Sequence, residues 1–198
     1  MAQPTLLIFV KNPERGKVKT RLAQGVGEDR ALQIYQALLQ HTREVVLAVE
    51  ARRVLFYSNF IPEADDWPVD QFDKRLQVDG DLGDRMRAAF AEGFRQSGPV
   101  VIVGSDCPQL TPRIIEEAFA QLARHDFAIG PAQDGGYYLL GMRTFQPRVF
   151  ENMTWSTAEV FADTTRRMIA LGATYALLPT LSDIDYQEDW ERFGWPLE

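Results

Sequence analysis

Cysteine and histidine are scarce in this sequence of 198 residues, which contains one cysteine and two histidines. A single cysteine, Cys107, cannot form an internal disulfide. His41 and His125 fall within or beside helical patterns, so neither is placed by sequence to activate the Cys107 thiol. The few candidate residues also match no zinc-ligand spacing and no Ser-His-Asp arrangement. We therefore do not expect thiol, zinc or serine-triad chemistry.

Long apolar runs and an excess of positive charge are also missing. The first apolar run ends after Val10, so we expect no signal peptide, no membrane span and a soluble, cytoplasmic protein. The formal net charge of -7 argues against nucleic acid or an anionic membrane as partner, because both select broad basic surfaces. A hydrophobic content of 45% over this length predicts a single domain, 1–198.

Apolar runs alternate with helical patterns along the whole chain. Strands followed by helices predict a three-layer α/β/α fold with a mostly parallel sheet. The run 137–140 is flanked by glycines, which predicts a strand that is locally antiparallel or mixed. The polar, proline-containing stretch 59–73 is predicted to be a loop excursion. The predicted strands are 6–10, 53–58, 75–78, 100–103, 126–130, 137–140 and 174–178, and the predicted helices are 32–49, 86–94, 111–122, 157–171 and 187–193.

Five cationic side chains crowd the loop that follows the first predicted strand. In open α/β sheets this position is the ligand-binding edge. Gly16 would let backbone N–H groups approach a phosphate, and Lys11, Lys19, Thr20 and Arg21 would contribute charge and hydrogen bonds. The glycine spacing is not that of a Walker A loop. The alternative is a solvated basic turn.

An aspartate follows the most hydrophobic predicted strand. Asp106, with Ser105 beside it, should emerge at the carboxyl end of the centre of the sheet, where a carboxylate can hold Mg²⁺ or Mn²⁺. Magnesium commonly takes only one or two protein carboxylates together with water and phosphate oxygens. The second ligand is expected from Asp183 and Asp185, which point the same way if their segment is extended. A turn or helix cap is the alternative role for Asp183.

Two glycine-containing motifs are further candidates for the site. Gly80, Asp81 and Gly83 lie at a predicted helix start, which suits contacts from backbone amides to a ribose or base. An ordinary N-cap is the alternative. Asp134 precedes a glycine pair, and we expect it to accept a hydrogen bond from an acceptor hydroxyl or to act as a general base. A glycine turn headed by aspartate is the alternative.

Trp155 and the two residues after it form the last motif. Trp155 is predicted to supply a hydrophobic wall, with packing as the alternative to a substrate contact. Ser156 or Thr157 is predicted to be the N-cap of the helix that follows.

Together these motifs resemble the DUF2064 family, a group of bacterial proteins related to glycosyltransferases of type A (GT-A). The matching segments keep the family's order over nearly the whole chain and are 11–22, 80–86, 104–110, 134–138, 155–157 and 183–185. The resemblance implies the nucleotide-diphospho-sugar transferase fold, in which the N-terminal half binds nucleotide. It also implies that the aspartate after the central strand, here Asp106, binds the metal.

The basic loop also resembles the signature loop of nucleotidyltransferases such as the phospholactate guanylyltransferase and molybdenum-cofactor groups. In those groups a lysine or arginine contacts the phosphates, and Lys19 and Arg21 occupy the closest positions here. The loop departs from the Gly-Gly-x-Ser-x-Arg-Met-Gly form of the molybdenum-cofactor enzymes. The resemblance therefore supports an expectation about the fold more than one about the reaction.

Three functional hypotheses follow. The first is a Mg²⁺-dependent transferase that uses a nucleoside-diphosphate sugar and a small-molecule acceptor, with Asp106, Lys19, Arg21 and Asp134 as its catalytic residues. The second is nucleotidyl transfer, in which a small substrate attacks the α-phosphate of a nucleoside triphosphate and pyrophosphate leaves. The third is a nucleotide-binding module without turnover. The base, sugar, acceptor and oligomeric state stay open.

Overall fold

The computed structural model describes residues 3–96 and 98–197, and a mixed β-sheet runs through their centre. The sheet has seven strands within these ranges, in the order β3-β2-β1-β4-β6-β5-β7. The strands are β1 (Thr5–Val10), β2 (Arg52–Tyr57), β3 (Asp73–Leu76), β4 (Val100–Val103), β5 (Phe127–Pro131), β6 (Tyr137–Met142) and β7 (Tyr175–Leu177). The helices are α1 (Thr20–Val26), α2 (Glu28–Leu47), α3 (Leu82–Gly93), α4 (Pro112–Gln121), α5 (Val160–Ala170) and α6 (Gln187–Phe193), with a 3₁₀ helix at Pro147–Phe150.

Within the described residues, strand β6 is the strand of the sheet that runs opposite to the others. β1 pairs in parallel with both β2 and β4, whereas β6 is antiparallel to β4 and β5. The reversal follows from a tight connection between β5 and β6, in which the Ala132 N–H donates to the Gly136 carbonyl at 3.0 Å. The prediction of an antiparallel or mixed strand over 137–140 is thus confirmed.

Apolar side chains alternate across β1 and fill both faces of the sheet. Leu6 and Ile8 are buried with residues of α2 and α4 on one face. Leu7 is buried on the other face with Phe90 of α3 and Met168 of α5. This arrangement confirms the predicted three-layer α/β/α fold.

A smaller apolar cluster lies between α1, α2 and the C-terminal segment. Its fully buried members include Leu22, Ile34 and Ile184, and Trp190 of α6 packs against it. The cluster anchors the segment before α6 against the edge of the sheet where β1 ends. Among the described residues, no helix combines the length and the hydropathy needed to cross a bilayer.

Four helix starts show which sequence predictions hold in the structure and which do not. The predicted cap at Thr111 is confirmed, because its side chain accepts a hydrogen bond from the Ile114 N–H. The predicted cap at Ser156 or Thr157 is wrong, because α5 begins only at Val160 and the Thr157 hydroxyl donates to the Thr154 carbonyl. The first helical stretch was missed, since α1 begins within the basic loop and α2 starts at Glu28 rather than 32.

Candidate active site

The predicted site residues meet at the carboxyl ends of β1 and β4. These two central strands are neighbours, so the loops that follow them lie side by side. A cavity of about 680 Å³ opens between these loops, α3, the turn before β6 and the segment before α6. The predicted residues that line it are Lys11, Lys19, Thr20, Arg21, Ser105, Asp106, Asp134, Asp183 and Asp185.

The centre of this cavity is an ion-pair cluster around Lys19. The Lys19 Nζ lies 2.9 Å from Asp106 Oδ2 and 3.6 Å from Asp185 Oδ1. Arg21 approaches Asp185 from the solvent side, with its Nη1 3.2 Å from Oδ2. The Lys19 side chain is only 7% exposed, and its backbone adopts the left-handed conformation (φ 47°) immediately before α1. That turn directs a cation of the basic loop inward to the aspartates.

The charges in the cluster shift one another's pKa values. Burial alone would lower the pKa of Lys19, but the carboxylates of Asp106 and Asp185 outweigh burial and raise it. Burial would likewise raise the pKa of Asp106, but the Lys19 ammonium outweighs burial and lowers it. Lys19 and Asp106 are therefore both charged near neutral pH.

Asp183 is the member of the cluster without a compensating partner. Burial, followed by the nearby Asp106 carboxylate, raises the pKa of Asp183 to about 8. Its Oδ1 is buried and has no hydrogen-bond partner among the described residues. Such an oxygen is costly to keep unless another ligand uses it.

Hydrogen bonds fix the segment that carries Asp183 and Asp185. The Ile184 N–H donates to the Asp106 carbonyl at 3.0 Å, and the Ser182 N–H donates to Gln109 Oε1 at 3.1 Å. With Ile184 turned into the small apolar cluster, the aspartates on either side of it face the cavity. A cap of α6 is not the role of Asp183, because Asp189 accepts the N–H groups at the start of that helix.

Tyr35 of α2 joins the loops that follow β1 and β4. Its hydroxyl oxygen accepts from the Lys11 N–H at 2.8 Å, and the hydroxyl lies 3.1 Å from the Lys11 carbonyl oxygen and 3.3 Å from Ser105 Oγ. Burial raises the pKa of Tyr35 to about 12, so the phenol stays neutral. Tyr35 falls within the predicted helix 32–49 and was not predicted to be a site residue. The signal that was available is that a buried tyrosine hydroxyl needs a partner.

Apolar side chains also line the cavity. They include Leu82, Met86, Tyr137 and Trp155, of which Trp155 was predicted to supply a hydrophobic wall. A Cβ on Gly83 would lie 2.8 Å from the Trp155 indole, so this glycine makes room for the tryptophan.

Gly80, Asp81 and Gly83 do not belong to the described residues that line the cavity. The Asp81 side chain instead caps α3 by accepting from the Asp84 N–H at 2.9 Å, which is the alternative role raised above. The side chain of Arg85, one turn into α3, lines the cavity in their place. The motif thus contributes to the site through its helix rather than through its glycines.

Asp134 heads a glycine turn, which is the alternative role raised above, and it also lines the cavity. Its Oδ1 accepts from the Gly136 N–H at 2.8 Å, which makes it the head of a glycine turn. It also lines the cavity, and its carboxylate contributes to the raised pKa of Asp183.

Part of the basic loop faces its own neighbours instead of the cavity. Arg15 pairs with Glu28 and Asp29, each at 2.6 Å, and Lys17 pairs with Glu14 at 2.7 Å. Gly16 (φ +73°) lies beside Glu28 and is not among the described lining residues. Lys11 makes no ion pair to any residue in the described part of the chain. Lys11, Lys17, Lys19 and Arg21 are the cations of the loop that line the cavity, and of these Lys17 is paired with Glu14.

The donor set fits a divalent cation. Asp106 and Asp185 both reach one point, the Lys19 ammonium, and the orphaned Asp183 oxygen lies in the same cluster. Nowhere in residues 3–96 and 98–197 do three acidic, cysteine or histidine side chains already stand in metal-binding positions. Two convergent carboxylates nevertheless suffice for Mg²⁺, which draws its other ligands from water and phosphate.

A second, larger cavity of about 1130 Å³ lies between α2, the excursion 59–73 and the residues after α6. It shares Val10 and Lys11 with the first cavity, but none of the aspartates of the ion-pair cluster lines it. We assign the site to the smaller cavity, because convergent charges rather than volume define where this chemistry can occur.

Comparison with known proteins gives a family match. The sequence matches the profile of the DUF2064 family, described as "Uncharacterized protein conserved in bacteria", over residues 38–157. No curated protein matches the sequence. The crystal structure of a protein from Desulfovibrio desulfuricans G20, described as a "putative nucleotide-diphospho-sugar transferase", is 35% identical to this chain. That match has a TM-score of 0.88 and covers 94% of this chain and 84% of the other.

More distant structures share the fold. A CMP:2-keto-3-deoxy-manno-octonic acid synthetase in complex with CTP has a TM-score of 0.59 at 13% identity, over 96% of each chain. Rv0371c of Mycobacterium tuberculosis H37Rv in complex with manganese has a TM-score of 0.57 at 14% identity, over 96% of this chain and 97% of the other. The predicted nucleotide-diphospho-sugar transferase type of fold is thus confirmed.

Proposed function

The chain belongs to the DUF2064 family, and from that premise we propose that it is a Mg²⁺-dependent transferase that takes a nucleoside-diphosphate sugar as donor and a small molecule as acceptor. The description of the relative that is 35% identical supports this class of donor. The observation that carries the proposal is the meeting of Lys19, Asp106 and Asp185 at the carboxyl ends of β1 and β4. A neutral ligand would leave these charges without partners, whereas a metal-bound diphosphate binds the cations through its phosphate oxygens and the carboxylates through its metal.

Each side of the cavity has a role in this proposal. Lys11, Lys19 and Arg21 neutralise the diphosphate by charge-assisted hydrogen bonds. Asp106 and Asp185 hold the metal, which when bound stabilises the negative charge of the departing diphosphate. Asp134 accepts a hydrogen bond from the acceptor hydroxyl.

The apolar wall supports a role in excluding water from the reacting groups. Met86, Tyr137 and Trp155 line the same cavity as the charged cluster. Electrostatic interactions strengthen where water is displaced, so this wall would increase the effect of the cations on the phosphates.

Nucleotidyl transfer is the second candidate, and the number of cations favours it. Arg85 lines the cavity together with Lys11 and Arg21, which is more positive charge than a diphosphate alone demands. The same residues would act by positioning and charge stabilisation while pyrophosphate departs. The synthetase with the similar fold binds CTP, which agrees with this alternative.

Isothermal calorimetry against nucleoside triphosphates and nucleoside-diphosphate sugars, with and without Mg²⁺, separates the candidates without knowledge of the acceptor. Preferential Mg²⁺-dependent binding of a diphospho-sugar is the result we expect. Preference for a triphosphate would replace glycosyl transfer by nucleotidyl transfer. Binding that ignores both Mg²⁺ and the change Asp106→Ala would point to a binding module without turnover.

A further inference from the structure

The Lys19 ammonium occupies the point at which the aspartates of the site converge. It lies 2.9 Å from Asp106 and 3.6 Å from Asp185. The Lys19 side chain is 7% exposed, whereas those of Asp106 and Asp185 are each 39% exposed, so the ammonium is shielded from water while the carboxylates stay partly accessible. The ammonium is the cation that allows these two carboxylates to lie close together.

A divalent cation and the ammonium cannot both use these oxygens. Two cations held by the same carboxylate oxygens would lie close together and repel each other. A metal that binds Asp106 and Asp185 must therefore displace Lys19.

The displaced Lys19 side chain can find a new partner within the same cavity. Lys19 lies in a left-handed turn immediately before α1, and its flexible side chain lines the cavity together with Lys11 and Arg21. A phosphate bound in that cavity offers the ammonium a new anionic partner. The displaced lysine then becomes part of the phosphate-binding set.

We propose that Lys19 holds the metal position in the metal-free protein, so that a divalent cation and a phosphate ligand bind cooperatively. Phosphate draws the ammonium from the aspartates and thereby vacates their oxygens for the metal, while the metal releases the ammonium for the phosphate. The proposal rests on the proposed function insofar as the phosphate is that of the nucleotide donor. By linkage, each ligand strengthens the other by the same factor.

Mn²⁺ alone is the probe for the first test. We compare the Mn²⁺ affinity of the wild-type protein, Lys19→Gln and Lys74→Gln by electron paramagnetic resonance. Lys74→Gln is the matched control, because it removes the same charge from a similarly buried lysine that pairs with Asp65 and does not line the cavity. We expect Lys19→Gln to bind Mn²⁺ at least about tenfold more tightly than the wild type, within the usual range of coupling, and the control to stay within about twofold. Equal or weaker Mn²⁺ binding by Lys19→Gln would overturn the proposal.

Thermal unfolding covers the case in which Lys19→Gln does not fold without metal. The proposal then requires that Mn²⁺ restores the fold, because the metal replaces the missing ammonium. A variant that stays unfolded at every Mn²⁺ concentration would contradict it. The coupling between Mn²⁺ and inorganic pyrophosphate, corrected for the complex that the two form in buffer, should also fall in Lys19→Gln relative to the wild type.

The failure of this proposal can be told apart from the failure of the proposed function. Tighter Mn²⁺ binding by Lys19→Gln, together with no binding of any nucleotide by the wild type, would uphold the metal-position role and remove the transferase proposal. Unchanged Mn²⁺ binding by Lys19→Gln, together with Mg²⁺-dependent nucleotide binding by the wild type, would do the reverse.

Discussion

Replacing Gly135 by alanine should displace the loop 154–158, which places Trp155 at the lining of the cavity. Gly135 has a φ of +89°, a conformation that side-chain-bearing residues avoid. A Cβ at this position would lie 2.1 Å from the Ala158 carbonyl oxygen and 2.6 Å from its Cα. Both are backbone atoms, so no side-chain rotation can relieve the overlap. The Gly135 carbonyl also accepts from the Phe161 N–H at 2.8 Å, which ties the turn to the first residues of α5.

The cost can be worked out against a second glycine. Gly172 also has a positive φ, +67°, but no atom lies within 4 Å of the Cβ that alanine would add. Gly172→Ala should therefore lose only the backbone term, about 1–2 kcal/mol. Gly135→Ala should lose a similar term plus about 1–3 kcal/mol for overpacking that the backbone must absorb. The difference between the two variants isolates the contact with the loop 154–158.

Chemical denaturation of both variants measures this difference, and calorimetry with the nucleotide identified for the wild type measures its effect on the site. We expect Gly135→Ala to be the less stable variant by at least about 1 kcal/mol and to bind nucleotide more weakly. Gly172→Ala should bind as the wild type does. Equal stabilities, or unchanged binding by Gly135→Ala, would refute the view that this turn positions the Trp155 wall.

Three further changes test the supports of the site. Tyr35→Phe removes the hydroxyl between the loops after β1 and β4, so it should lower the free energy of unfolding by about 1 kcal/mol and weaken nucleotide binding. Tyr57→Phe, the control, should lower stability without changing binding. Denaturation measures the stability of both variants, and calorimetry measures their nucleotide binding. Gln109→Ala removes the acceptor of the Ser182 N–H; it should cost about 1 kcal/mol and weaken Mn²⁺ binding, and unchanged Mn²⁺ affinity would contradict its role as a support. Burial and the Asp106 charge raise the pKa of Asp183 to about 8 from 3.8, so its proton contributes stability that is complete below about pH 4 and is lost as the pH rises through 8. In chemical denaturation with a chelator present, Asp183→Asn should reduce this loss of stability with rising pH. An unchanged pH dependence of stability would contradict the raised pKa of Asp183.

Patterns of local origin were predicted well from the sequence. The uniformly apolar run 100–103 is the central strand β4, because a strand covered on both faces has no polar side. Thr111 followed by proline marks the start of α4, because capping depends on residues a few positions apart. The carboxyl end of β4 also predicted correctly that Asp106 would lie at the edge that carries the cavity.

Long-range pairing accounts for what sequence analysis missed. The pairing of Lys19 with Asp106, which lies 87 residues away in the chain, was not predicted. The left-handed conformation that makes this possible has no local signature in a lysine. Gln109 and Tyr35 act on segments far from them in sequence, so no spacing rule reveals them. The false cap at Ser156 or Thr157 came from residue type alone, where the fold instead holds an irregular loop against Gly135.

The most direct test of the central claim is the Mg²⁺ dependence of nucleotide binding by calorimetry in the wild-type protein and in Asp106→Asn. Asp163→Asn is the control, because its aspartate pairs with Arg166 on α5 and does not line the cavity. We predict that Mg²⁺ strengthens binding in the wild type and in the control but has no effect in Asp106→Asn. Mg²⁺-dependent binding that survives Asp106→Asn would contradict the assignment of the site.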